Sequence, residues 1–350
     1  MSGRLPSSPT GPISMEALVP EEDVVVTITR EGFAKRTKLD AYRAQRRGGK
    51  GVRGASLRAD DEISHFFITN THDWLLFFTN MGQVYRVKAY ELPEGGRDAR
   101  GQHVANLLAF RPEEKIAQVL AISDYDDAEH LVLGTKLGMV KKTPLADYDS
   151  PRRAGLIAIN LREDEGGDLD EVISALTIES EDELILVTRE GQSLRFKASD
   201  KALRPTGRAT SGVVGIRLRG DDEVLAMELV DPDSDLVVVT EGGYAKRTPL
   251  EEYRAQGRGG LGIRAASLNE DRGELVGALV TSEEEELLAI AESGKVIRVS
   301  VGDVPQTGRN TMGVILSRLD EEDRVIAVTR NEESQVESNE DPHGEEIGDA

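Results

Sequence analysis

The sequence predicts an all-β, propeller-like protein of six four-stranded antiparallel blades. Three observations predict it: a repeat of about 50 residues, a strand-like apolar run at the head of every repeat, and a turn glycine behind each run. The runs are Val24-Val25-Val26-Thr27-Ile28, Trp74-Leu75-Leu76-Phe77-Phe78, Leu131-Val132-Leu133, Leu184-Ile185-Leu186-Val187, Leu236-Val237-Val238-Val239 and Leu287-Leu288-Ala289-Ile290. Their length and their β-branched and aromatic content fit strands. The glycines are Gly32, Gly82, Gly138, Gly191, Gly243 and Gly294, spaced 50–56 residues apart. At such a position a residue that tolerates positive φ lets a hairpin reverse.

Later in each repeat a second glycine precedes a leucine by six positions: Gly51 and Leu57, Gly101 and Leu107, Gly155 and Leu161, Gly212 and Leu218, Gly262 and Leu268, Gly313 and Leu319. The leucine is expected to anchor an inner strand. A further apolar segment closes the unit, as in Ile116-Ala117-Gln118-Val119-Leu120-Ala121-Ile122 and Val325-Ile326-Ala327-Val328. Four short strands per unit is a propeller-blade count, and stacking six units supplies the core that one blade lacks. No long helix is expected. Residues 1–20, with Pro6, Pro9, Pro12 and Pro20, read as a linker or chain end; residues 21–330 form the repeat domain; residues 331–350 read as a disordered acidic tail.

The 350 residues contain no cysteine and five scattered histidines, which excludes a disulfide framework and thiolate chemistry and leaves little material for a metal site. No apolar run approaches the ~20 residues of a membrane helix, and the first residues carry no signal core. The expectation is a soluble protein of the reducing cytoplasm with no membrane association. The formal charge of −21 argues at first against nucleic acid. Its distribution reverses that argument. Residues 30–58 hold ten Lys or Arg against two acids, whereas residues 331–350 hold eight acids and no Lys or Arg.

Four positions after every hairpin glycine stands a cation: Arg36, Arg86, Lys142, Arg195, Arg247 and Arg298. Four positions before the second glycine stands an arginine in five repeats, Arg47, Arg97, Arg208, Arg258 and Arg309; repeat three has Pro151 there, with Arg152 and Arg153 beside it. Blade stacking would repeat these cations along one rim as a curved positive track. The competing reading is that each covers apolar surface with its stem and pairs with a nearby carboxylate. The densest segment is Gln45-Arg46-Arg47-Gly48-Gly49-Lys50-Gly51 in the first repeat, with Lys35, Lys38, Arg43 and Arg53 around it. Glycines let backbone amides approach phosphates closely while Arg and Lys supply charge, so the loop suits a sugar–phosphate backbone without reading bases. A solvated, flexible basic turn is the alternative.

This heptapeptide is similar to the signature known as the gyrase A box, and with the repeats around it the chain resembles the C-terminal domain of the A subunit of bacterial DNA gyrase over about residues 21–330. The resemblance implies a six-bladed β-pinwheel whose blades exchange a strand. It also implies an outer rim that binds duplex DNA and bends it into a handed wrap supporting ATP-dependent negative supercoiling. Its partners would be the gyrase B subunit together with the rest of the gyrase A subunit, in an assembly of two copies of each at the bacterial nucleoid, with the isolated domain monomeric. ATP and Mg²⁺ would act elsewhere in that enzyme, and this chain would need no cofactor.

Residues 33–57 and 244–268 align without a gap, so repeat five reads as a decayed copy of the box. Gln256, Arg258, Gly259, Gly260 and Gly262 are kept, while Arg46 corresponds to Gly257 and Lys50 to Leu261. The glycines are therefore assigned in part to turn geometry, and Arg46 and Lys50 mainly to DNA. Trp74 reads as core, and Tyr42, Tyr148 and Tyr253 as repeat packing. No topoisomerase cleavage apparatus and no Walker-type phosphate loop is found, so the chain alone is expected to be non-catalytic. The alternatives are the related domain of topoisomerase IV, against which six repeats and an intact box weigh, a protein-interaction propeller, and a propeller enzyme. The acidic tail is either a solubilising extension or a DNA mimic that competes for the first repeat.

Overall fold

A computed structural model describes residues 14–43, 63–316, 318–320 and 323–332. Each apolar run becomes the central strand of a blade: Asp23–Thr29, Trp74–Thr79, His130–Thr135, Glu183–Thr188, Asp235–Thr240 and Glu286–Ala291. The hairpin glycine turns each of these into an antiparallel partner: Phe33–Lys38, Gln83–Lys88, Met139–Pro144, Gln192–Lys197, Tyr244–Pro249 and Val296–Ser300. On its other side the central strand pairs with the closing strand of the same repeat: Ile63–Asn70, Ile116–Ile122, Val172–Ile178, Val224–Leu229, Leu275–Thr281 and Val325–Arg330.

The fourth strand is lent by the next repeat. Gln102–His103 pairs with Phe33 and Ala34 one blade earlier, and Leu156–Ile157, Val213–Val214, Ile263–Arg264 and Val314–Ile315 do the same for the second to fifth blades. Five blades thus have four strands, and the sixth has three among the described residues. The lent strand follows the second glycine of the repeat directly. Leu107, Leu161, Leu218 and Leu268 lie beyond it in irregular chain, half-buried against the blade cores, so the expected inner-strand anchor is instead a packing residue at the strand's exit.

The core sits between blades. Along the second central strand, Leu75 and Phe77 pack toward the first blade while Leu76 and Phe78 pack toward the third. The same alternation sends Leu184 and Leu186 one way and Ile185 and Val187 the other. A strand buried on both faces needs a continuous apolar run, which is why these segments show no polar alternation. Closing strands of successive blades touch one another from the second blade to the sixth, so they stand nearest the centre and the hairpin and lent strands form the outer rim.

Short 3₁₀ turns follow the hairpin strands, for example Ala89–Glu91, Leu145–Tyr148 and Leu250–Glu252, and a short α-helical turn forms at Asp40–Arg43. Residues 14–20, expected within the N-terminal linker, are docked on the turn that joins the first two repeats and on Lys88 of the second. The His72 ring nitrogen meets the Val19 carbonyl at 2.9 Å, the Thr71 hydroxyl donates to the Pro20 carbonyl at 2.8 Å, and Lys88 pairs with Glu16 at 3.0 Å. Residues 1–13 and most of the acidic tail lie outside the described residues.

The second glycine of a repeat is where one blade's backbone meets the next. At Gly101, with φ of +82°, a Cβ would stand 2.4 Å from the Ala34 carbonyl oxygen. Gly101→Ala is expected to cost about 2 kcal/mol or more from φ strain and the clash together. Denaturant unfolding followed by circular dichroism checks it; an unchanged midpoint would mean that the lent strand contributes little.

Candidate nucleic-acid interface

Gln45, Arg46, Arg47, Gly48, Gly49, Lys50, Gly51 and Arg53 lie outside the described residues, and of Arg43 only the backbone of its helical turn is described. The gap-free copy in repeat five supplies a frame for this kind of loop. Gly259, with φ of +77°, donates its amide to the Gly215 carbonyl at 2.6 Å, and Gly262, with φ of +72°, places its Cα where a Cβ would stand 2.3 Å from the Ser193 carbonyl oxygen. These glycines are turn geometry. Gly257 has open space around its Cβ direction, and Leu261 is exposed. The two positions at which repeat five lacks charge are thus the two that face solvent.

The recurring cations of the hairpin strands occupy a different environment. Arg36 donates to the Leu92 carbonyl at 3.0 Å and pairs with Glu94 at 2.9 Å. Arg86 donates to the Tyr125 hydroxyl and to Asp149, each at 2.9 Å, and lies 4.2 Å over the Trp74 ring. Lys142 reaches the Ala198 carbonyl at 2.6 Å and Asp200 at 2.7 Å. Arg195 pairs with Glu183 and donates to the Leu250 carbonyl at 2.9 Å, while Arg247 pairs with Asp235 at 2.9 Å and donates to the Val304 carbonyl at 2.8 Å. In every case at least one acceptor belongs to the following repeat, so the cation clamps one blade to the next.

Side-chain exposure of these five is 0–17%, against 63% for Arg298, whose carboxylate partner Glu286 at 3.7 Å belongs to its own blade. The five cations are buried or nearly so, and each is matched by a carboxylate, which is itself exposed at Glu94, Asp149 and Asp200. Lys38 is half exposed and pairs with Glu22 at 3.3 Å. Trp74, read from the sequence as core, is the face on which Arg86 and Lys88 stack, at 4.2 and 4.3 Å from the ring centre.

The loop arginines are held by neutral groups. Arg208 donates to the Ile157 carbonyl at 3.3 Å, Arg258 to those of Ala202 at 2.6 Å and Val214 at 3.1 Å, and Arg309 to that of Arg264 at 3.0 Å. The carbonyls of Ile157, Val214 and Arg264 lie on strands lent by the preceding repeat. Among the described residues no carboxylate side chain pairs with these three guanidiniums, so each keeps its full charge beside the rim. Arg97 stacks 4.4 Å over the Tyr42 ring. Arg152, Arg153, Arg204 and Arg254 are exposed on the same loops, and Arg264 is exposed on a lent strand. Arg204 and Arg254 stand at the repeat position of Arg43, and Arg264 at that of Arg53, a periodicity that would have identified them in the sequence.

Beneath three of these loops lies a buried lysine. Lys35 donates to the carbonyls of Gly96 at 2.9 Å and Arg97 at 2.5 Å. Lys141 does so to Ala158, to Gly207 at 3.3 Å and to Arg208 at 2.5 Å, and Lys246 to Gly308 at 2.9 Å and Arg309 at 2.6 Å. Burial pushes both latter ammoniums below the ordinary lysine range, Lys141 to about 7 and Lys246 to about 8. The neighbouring Arg208 and Arg309 act in the same direction, against Asp147 and Glu252.

The chain matches the family model described as DNA gyrase C-terminal domain, beta-propeller, six times, over residues 23–70, 73–123, 129–179, 182–231, 234–282 and 285–331. It is 60% identical to the A subunit of DNA gyrase from Streptomyces coelicolor over 330 residues, covering 94% of this chain and 38% of that protein. With the A subunit of DNA gyrase from Mycobacterium tuberculosis strain H37Rv it shares 53% over 329 residues, 94% of this chain and 39% of that protein. The chain therefore spans less than two-fifths of these relatives. Among solved structures, the C-terminal domain of DNA topoisomerase IV superposes with a TM-score of 0.76 at 30% identity, covering 89% of this chain and 94% of that one. A DNA gyrase A C-terminal domain superposes with 0.68 at 29%, covering 88% and 99%.

The lysine pKa values carry a stability signature. An unfolded lysine titrates near 10.5 and folded Lys141 near 7, so between those limits the unfolded chain binds more protons and stability rises with pH. This contribution is complete above about 10.5 and is lost as pH falls through about 7. Urea midpoints at pH 7 and pH 9 are expected to differ less in Lys141→Met than in the parent chain. Equal differences in the two proteins would contradict a desolvated Lys141.

Proposed function

Because the chain belongs to the DNA gyrase C-terminal domain family, matched six times between residues 23 and 331, we propose that it binds, bends and wraps duplex DNA along its loop-bearing rim. In this reading it is the non-catalytic wrapping part of a gyrase A subunit. It presents a wrapped segment for the ATP- and Mg²⁺-dependent strand passage carried out by the gyrase B subunit with the rest of the gyrase A subunit. The observation that carries the proposal is the repeated guanidinium held by a neutral carbonyl, at Arg208, Arg258 and Arg309, whose charge remains free for phosphate. Residues 30–58, with ten cations against two acids, add the densest charge.

The proposed DNA contacts are Gln45, Arg46, Arg47, Gly48, Gly49, Lys50 and Gly51 with Arg43 and Arg53, joined by Arg97, Arg208, Arg258, Arg309, Arg298 and Lys38. Arg36, Arg86, Lys142, Arg195 and Arg247 act as blade clamps that set the curvature of the rim, and Lys35 supports a loop from beneath. Smooth bending of a 20–30 bp site by 40–90° costs on the order of 1–6 kcal/mol. No single loop offsets that, whereas a few contacts from each of several blades do. The 53–60% identity to the A subunits of DNA gyrases favours the gyrase reading over the topoisomerase IV alternative. A DNA-bound, monomeric domain of the cytoplasmic nucleoid follows from the same reading.

Bending of an end-labelled linear duplex by energy transfer across a salt series tests the proposal. The parent chain is expected to bend DNA at low salt and release it as salt rises. The triple variant Arg46→Ala, Arg47→Ala, Lys50→Ala should flatten the salt slope by roughly 2–3, at about 0.9 per lost phosphate contact. A parent chain that neither binds nor bends duplex at low salt would leave a protein-binding propeller as the better reading.

A further inference from the structure

The three buried lysines occur in alternate repeats. Lys35, Lys141 and Lys246 stand three residues after the hairpin glycines of repeats one, three and five, where repeats two and four carry Tyr85 and Leu194. Each lysine side chain reaches forward to the Gly–Arg dipeptide of the following repeat: Gly96-Arg97, Gly207-Arg208 and Gly308-Arg309. The next residue along the same strand, Arg36, Lys142 or Arg247, makes the blade clamp. Successive side chains of a strand point to opposite faces, so one dipeptide serves two tasks.

The loops that follow repeats two and four are supported by packing alone at this point. A Cβ on Gly155 would stand 2.6 Å from the Tyr85 ring, and Gly260 faces the Leu194 side chain at 3.5 Å. The loops of repeats two, four and six are instead tied by hydrogen bonds from the lysine nitrogens to their carbonyl oxygens. In repeats four and six the arginine is tied at both ends, its own carbonyl on the lysine and its guanidinium on the lent strand of the preceding repeat. A donor whose backbone and head group are fixed before binding loses less freedom when it meets a phosphate. Lys246, which titrates at about 8, also brings a positive charge under its loop at pH 7, and no carboxylate pairs with Lys141 or Lys246 among the described residues.

We infer that Lys35, Lys141 and Lys246 are positioning residues for DNA: each fixes the following repeat's rim loop by its carbonyls, so that Arg97, Arg208 and Arg309 meet the phosphate backbone already placed. This rests on the DNA-wrapping reading and adds to it that the rim alternates between charge-tied and packed loops.

A double-substitution cycle on the full chain at pH 7 tests it, with duplex affinity and bending measured for the parent, Lys246→Met, Arg309→Ala and the pair. Thermal melts establish that each variant is folded. Lys246→Met is expected to weaken binding about two- to tenfold, and the loss from Arg309→Ala should largely vanish in its background. The control pair Lys246→Met with Arg208→Ala, on separate loops, should be additive, an outcome that a general loss of rigidity would not produce. Additive losses for Lys246 and Arg309 in a parent chain that binds DNA overturn the inference alone. A parent chain that binds no duplex overturns the DNA reading and the inference with it. Should Lys246→Met fail to fold, Lys35→Met with Arg97→Ala decides the question in the first pair of repeats.

Discussion

A central strand such as Trp74–Thr79 is apolar on both faces, with Leu75 and Phe77 on one side and Leu76 and Phe78 on the other, so a blade by itself leaves a complete hydrophobic surface in water. Everything else in the molecule answers that constraint. The blades stack because burial happens only between them. The lent strands and the clamping cations exist at the same seams, where they supply the hydrogen bonds and ion pairs that make one stacking geometry better than its neighbours. Rim loops inherit their spacing from this stacking, and a curved binding surface is the geometric by-product of a core that could not be made within one repeat.

Much of the architecture was legible because the repeat displays each signal six times. The two-sided apolar runs announced buried strands, and Gly32, Gly82 and their equivalents announced hairpins through a backbone conformation that other residues adopt poorly. The destination of the lent strand was not legible from local pattern, since Gln102–His103 is two residues long and its partner lies about seventy positions earlier. The docking of residues 14–20 was hidden for a similar reason: proline content suggests a linker, and its contacts with Thr71, His72 and Lys88 are remote in sequence.

The cations show the limit of periodicity as evidence. Recurrence says that a charge is needed at a fixed place in the blade, not which way it faces. Arg247 and Arg258 are eleven residues apart in one repeat, yet the first is closed between Asp235 and the Val304 carbonyl while the second is held by carbonyls alone. What separates them is a carboxylate of their own repeat, Asp235, which reaches Arg247 and not Arg258, while neighbouring repeats offer carbonyls to both. The net charge of −21 is equally uninformative taken alone, because clamp cations consume carboxylates in the seams and leave the rim arginines unmatched.

Among the described residues strand lending runs in one direction, each of the first five blades being completed by residues that come later in the chain. On the ribosome, Phe33 and Ala34 therefore wait for Gln102 and His103 before their edge is covered, and the same delay is passed from blade to blade. A growing chain ends in at most two unfinished blades, because Gln83–Lys88 emerges before Gln102–His103 has sealed the blade before it. Assembly is thus serial, and the open strand edges that invite aggregation stay confined to the newest end of the chain.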